Sequence, residues 1–143
     1  RYRQCRARRA RQPVIVADTS ALLEVLLRQP RSAAIEERLF GTGEPMHSPH
    51  LVDVEIAQVI RRYVLMGEIE TERAEQALGD FLAFPITRHA HGFLLSRVWD
   101  LRDNLSAYDA MYVALSDALE ATLVTHDRRL ATAARRIVAV ELV

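Results

Sequence analysis

Apolar and polar positions follow two rhythms along this chain. Short, nearly continuous apolar runs, Val14-Ile15-Val16-Ala17 and Thr122-Leu123-Val124-Thr125 among them, alternate with longer stretches whose apolar residues return every three or four positions. The first rhythm suits strands buried on both faces and the second suits amphipathic helices, so the alternation predicts an α/β fold with a mainly parallel sheet. The expected order begins with a strand over 14–17, a helix through about 28, a second helix over 32–40 and a short strand near Met46. A long helix follows over 50–66, where Val52, Ile56, Val59, Ile60, Tyr63 and Val64 keep helical spacing and Gly67 supplies the stop. Beyond it come a helix over 70–84, a brief strand over 85–87 and a helix over 90–102. The stretch 106–119, SAYDAMYVALSDAL, is apolar on nearly every side between its acids, which marks a helix deep in the fold. A strand over 122–125, a short helix over 128–135 and a last strand over 137–140 complete the order.

With 143 residues, 50% hydrophobic and 27% charged, the chain has the make-up of one soluble domain, expected over 13–143. A domain of that size buries roughly 70% of the surface its unfolded chain exposes, so a core is possible without disulfides. The lone Cys5 offers no internal bridge. All 19 basic residues are arginine, balanced by 19 acids. Without lysine the chain cannot build a P-loop or a Schiff base. Six arginines fall within 1–12, which leaves 13 against 19 acids and a formal charge of −6 from Pro13 onward. That arm, RYRQCRARRARQ, lacks the apolar core of a signal peptide; it reads as a flexible leader, with a segment that touches nucleic acid as the alternative. No run approaches about 18 apolar residues, so no membrane span is expected and the cytoplasm is the default compartment.

Four acids occupy places that solvation does not explain. Asp18 closes the first apolar strand and Asp127 follows the strand over 122–125, so both stand at carboxyl ends of strands, where open α/β sheets form their ligand crevice. Asp109 lies in the first turn of the most apolar helix, and Glu55 interrupts the apolar stripe of LVDVEIAQVI. Each has a plainer alternative. Asp18 and Asp127 suit helix N-caps, Ser106-x-x-Asp109 suits a capping box, and Glu55 suits a helix edge with its head in water, as does Asp53. Taken together, four carboxylates in one low-dielectric crevice would raise one another's pKa values unless a cation neutralised them. Hard oxygen ligands of this kind suit Mg2+ or Mn2+. Zinc fits poorly, and the five histidines read as surface or packing residues.

Four segments carry a resemblance: VIVADTSALLEVL, PHLVDVEIAQVIRR, NLSAYDAMYVALSDAL and TLVTHDRRLA. In this order and at these intervals they resemble the PIN-domain nucleases, and within them the VapC-type toxins of bacterial toxin-antitoxin pairs. The resemblance covers nearly all of 14–143. It implies a three-layer α/β/α sandwich around a parallel sheet, with an acidic quartet holding one or two Mg2+ or Mn2+ ions. Matched motif to motif, that quartet is Asp18, Glu55, Asp109 and Asp127, the same four acids. Thr19, Ser20 and Thr125 match small hydroxyl positions beside the family's site, where they would bond a metal-bound water or orient a carboxylate.

The resemblance further implies metal-assisted hydrolysis of a phosphodiester, with RNA as the substrate of the toxin branch. Asp18 and Asp109 would be the main ligands of a first ion. Glu55 would ligate directly or position the attacking water, and Asp127 would complete a second site filled on substrate arrival. Arg61, Arg62, Arg128 and Arg129 are candidates to grip flanking phosphates, against the alternative that they only solvate helix faces. The sequence offers no evident aromatic stacking platform. A toxin of this type would pair with a cognate antitoxin whose C-terminal segment covers the groove, and would form a homodimer for which the helices over 32–40 and 70–84 are candidate surfaces. Two other functions stay open: a housekeeping RNA-processing PIN nuclease and a binding module with a lapsed site. A receiver domain and a haloacid-dehalogenase-type phosphatase are excluded, because each pattern uses a lysine near the site.

Overall fold

The computed structural model describes residues 12–143, so the arm expected over 1–12 lies outside the described residues except for Gln12. The described residues form five strands: β1 (Ile15–Ala17), β2 (Met46–Pro49), β3 (Ile86–His89), β4 (Thr122–Thr125) and β5 (Val140–Leu142). They pair in parallel in the order β3-β2-β1-β4-β5. Seven α-helices connect them among the described residues: α1 (Thr19–Leu26), α2 (Ser32–Glu36), α3 (Leu51–Leu65), α4 (Thr71–Ala83), α5 (Leu95–Asp100), α6 (Ala107–Leu119) and α7 (Arg128–Ala134).

From β1 the chain steps to β2 and β3 on one side, then crosses back over β1 to β4 and β5 on the other. Parallel crossovers are right-handed, so this reversal puts α1 to α4 on one face of the sheet and α5 to α7 on the other. The packing agrees: α1 touches α2, α3 and α4, while α6 rests on β1, β2 and β4. The result is the expected three-layer α/β/α sandwich. The core gathers around the central strand, where Ile15, Val16 and Ala17 are wholly buried, and around α6, which is buried from Ala110 through Ser116. A helix covered on nearly all sides must be apolar on nearly all sides, which is why 106–119 lacks a polar stripe.

Three boundaries depart from the sequence pattern. The helix expected over 32–40 divides: α2 ends at Glu36 and a π-helical turn, Glu37–Gly41, keeps Leu39 buried beside Ile35. The helix expected over 90–102 opens as a 3-10 turn, Gly92–Leu94, before α5. The last strand, expected over 137–140, is β5 at Val140–Leu142, because the amides of Ile137 and Val138 both donate to the Ala134 carbonyl and close the end of α7. Gly67, with φ of 71°, does end α3, since few other residues adopt that conformation without strain.

Candidate active site between the first and fourth strands

Sheet order reverses between β1 and β4, and chains leaving neighbouring strands in opposite directions open a crevice at that point. Asp18 leaves β1 directly into this place and is only 4% exposed. Every bond its carboxylate makes comes from a neutral donor. Oδ1 accepts from the Ser20 hydroxyl at 2.7 Å and the Ala21 amide at 3.0 Å, and Oδ2 accepts from the Thr125 hydroxyl at 2.6 Å. The Ala21 bond is also the N-cap of α1, so the capping reading of Asp18 and its place in the crevice hold together. Burial outweighs these donors and pushes the carboxyl up to about 6, and the charge of Asp127 adds to the rise.

The loop after β4 is laced to the start of α1. Ser20 Oγ accepts from the His126 amide at 2.8 Å, and Thr125 Oγ1 accepts from the Asp127 amide at 3.0 Å. Asp127 in turn caps α7, its Oδ1 accepting from the amides of Arg129 at 2.7 Å and Leu130 at 3.2 Å. The Ser20 and Thr125 hydroxyls thus hold one Asp18 carboxylate oxygen each.

Asp109 comes from the first turn of α6, where the Ser106 hydroxyl accepts from its amide at 3.1 Å. Burial raises its carboxyl and the charge of Asp127 adds to this, while Ser106 and the Arg129 guanidinium oppose the rise. Glu55, half-buried on α3, is raised by burial and then by Asp18 and Asp109; a hydrogen bond from Tyr112 opposes them. The four acids are thus linked pairwise, Asp127 acting on Asp18 and Asp109, and these two acting on Glu55. They do not close into a ready-made ligand set: among the described residues, no three His, Cys, Asp or Glu side chains converge tightly enough to hold an ion.

Tyr112 is the residue that sequence reasoning missed. Its hydroxyl donates to Glu55 Oε1 at 2.9 Å and lies 2.8 Å from Thr19 Oγ1. Thr19 consequently reaches an acid only through the phenol. The available signal was spacing, since Tyr112 lies three residues after Asp109 and so shares its helix face.

The arginines divide. Arg129 acts on Asp109, and Arg128 lines an adjoining cleft of about 520 Å3 with Glu24, Arg31 and His126. Arg61 and Arg62 are exposed further along α3, and the Arg62 guanidinium lies 5.8 Å from the Tyr63 ring centroid. Asp53 does not stand free in water but pairs with Arg88 on β3 at 2.7 Å. Histidines have structural work: His47 Nδ1 and His89 Nε2 lie 2.9 Å apart, and the His91 ring accepts from the Leu51 amide at the start of α3. Among the described residues, the aromatic side chains of Phe93, Trp99 and Tyr108 are exposed, and Tyr108 directly precedes Asp109.

Comparison with known proteins gives a consistent picture. Residues 15–136 match the family model described as PIN domain. Ribonuclease VapC9 of Mycobacterium tuberculosis is 41% identical over 117 residues, covering 82% of this chain and 88% of that protein. Among solved structures, PAE2754 from Pyrobaculum aerophilum superposes with a TM-score of 0.70 at 19% identity, covering 90% of this chain and 83% of that one. VapBC2 from Rickettsia felis, bound to a DNA fragment from its promoter, gives a TM-score of 0.66 at 16% identity, covering 90% and 98%. No helix among the described residues is long and apolar enough to cross a membrane.

Proposed function

The chain belongs to the PIN-domain family, among the relatives of the VapC ribonucleases, and from that premise we propose that it is an Mg2+- or Mn2+-dependent endoribonuclease serving as the toxin of a toxin-antitoxin pair. Asp18 is the observation that carries the reading. A carboxylate that is 4% exposed, held by three neutral donors and repelled by Asp127 is a charge the protein has left uncompensated. Removing such a charge from water is costly unless a cation or a proton offsets it. The neighbouring acids Glu55, Asp109 and Asp127 offer carboxylate oxygens, which suit a hard divalent ion.

Asp18 and Asp109 would hold that ion, with Glu55 and Asp127 completing the set. When bound, the ion supplies a water of lowered pKa and offsets the charge gathering on the phosphoryl oxygens. The protein's own groups do the rest. Ser20 and Thr125 keep both Asp18 oxygens aimed, Glu55 orients the attacking water, and Arg128 and Arg129 bind phosphates flanking the scissile one. Arg61 and Arg62 extend this grip along α3. A basic antitoxin segment offering arginine or lysine suits the same acidic crevice, and a second copy of the chain makes the homodimer usual among such toxins. The cytoplasm is where RNA and antitoxin would both be met.

The deciding experiment is cleavage of total RNA by antitoxin-free protein with Mg2+ and with chelator, mapping the product ends. Metal-dependent cuts at discrete positions are expected. Absence of metal-dependent cleavage would reverse the reading in favour of a binding module, and growth that continues on expression would remove the toxin role.

A further inference from the structure

The four carboxylates leave Tyr112 without a task. Its side chain is only 2% exposed, and its hydroxyl joins two separate helices, standing 2.8 Å from Thr19 Oγ1 on α1 and 2.9 Å from Glu55 Oε1 on α3. A phenol has a single proton. With that proton donated to Glu55, the Thr19 hydroxyl must donate to the phenol oxygen, so the three groups form one directed chain ending on the carboxylate. A buried tyrosine needs a partner for its hydroxyl, but Thr19 alone would satisfy that need. The bond to Glu55 is therefore surplus to packing.

The anchors of this chain are telling. Thr19 follows Asp18 directly, and Tyr112 lies one helical turn beyond Asp109. Glu55 has a long, flexible side chain on a half-buried helix face, and the phenol restrains one of its two oxygens. Glu55 Oε2 accepts no hydrogen bond among the described residues.

We propose that Tyr112 is a positioning residue, which fixes Glu55 Oε1 so that Oε2 is presented to the divalent cation. This rests on the reading of Glu55 as part of the cation site. Groups that hold a ligating side chain in place matter about tenfold to a hundredfold in metal affinity.

The test uses the full chain and Mn2+ alone, by isothermal titration, with thermal unfolding of the metal-free protein beside it. Tyr112→Phe keeps the ring and its volume, and should weaken Mn2+ binding about tenfold or more while unfolding stays a single cooperative transition. Thr19→Val, which does not touch the ring, should weaken it less and in the same direction. Because the tyrosine acts through Glu55, the double variant Tyr112→Phe/Glu55→Gln should bind no more weakly than Glu55→Gln alone. Wild-type affinity in Tyr112→Phe beside a weakened Glu55→Gln overturns the proposal and leaves the site standing. Wild-type affinity in both removes Glu55 from the site, and the proposal with it. Losses that multiply in the double variant assign Tyr112 to packing and also overturn it.

Discussion

At the outer edge of the sheet, Arg38 lies between two acids, its Nη1 2.6 Å from Glu44 and its Nε 2.7 Å from Glu141 on β5. In the crevice between β1 and β4, four acids share a space with hydroxyls and amides, and Arg129, acting on Asp109, is the guanidinium that opposes their repulsion. Both places collect carboxylates. At the first, the fold brings its own counter-charge, and the acids become part of the scaffold. At the second it brings orientation with only the partial counter-charge of Arg129, so a negative site is kept at a cost in stability. Proximity of acids is thus a poor sign of function, and the missing counter-charge is the better one.

Asp18→Asn breaks this contrast most severely, since it removes the deepest charge and keeps the shape. RNA cleavage in Mg2+ should fall at least about a thousandfold, the equivalent of about 4 kcal/mol in the barrier. Turnover within tenfold of wild type would erase the distinction between the two clusters.

The same variant sharpens the contrast through stability. The Asp18 carboxyl sits at about 6 in the fold against an ordinary aspartate value of 3.8, so the folded state holds the proton more tightly. Its stabilising contribution is full below the unfolded value and lost as pH rises through the folded one, with a ceiling of about 3 kcal/mol. Denaturant titrations of metal-free protein should show wild type losing ground to Asp18→Asn between these two values. A constant difference across that window would mean the carboxylate is solvated.

Arg38→Met tests the other side. Two acids left facing each other without their cation should cost about 1–2 kcal/mol, less than for a fully buried pair because water reaches both. The Mg2+ dependence of cleavage should not move; a shifted dependence would tie this cluster to the crevice. Smallest is the effect of Arg128→Ala, read in the inactive Asp18→Asn background. The slope of log binding constant for single-stranded RNA against log salt should flatten by about 0.7, one phosphate contact. An unchanged slope would make Arg128 a solvating residue.

Periodicity carried much of the architecture, because strands buried on both faces and a helix buried all round leave patterns no other arrangement explains. The four acids were readable for a related reason: a carboxylate inside an apolar run contradicts its surroundings. Tyr112 gave no such contradiction. A tyrosine among Met111, Val113 and Ala114 looks like core, and its hydroxyl acquires meaning only when α1 and α3 are brought against α6. The Asp53 pair with Arg88 and the Arg38 bond to Glu141 were hidden likewise, since the partners are 35 and 103 residues apart in sequence. The displaced last strand was lost to a local competition, in which the end of α7 claimed the amides of Ile137 and Val138 before the sheet could.

The bond from Thr125 to Asp18 spans 107 residues, and β1 lies at the centre of the sheet with β4 beside it. During synthesis Asp18 emerges 107 residues before Thr125, so the strand that completes its surroundings is made long after it. Contacts of such long range form late, so a nascent chain still on the ribosome has Asp18 without Thr125, Asp127 or the wall that β4 provides. For a nuclease made amid RNA, this connectivity leaves the crevice incomplete until β4 has been made.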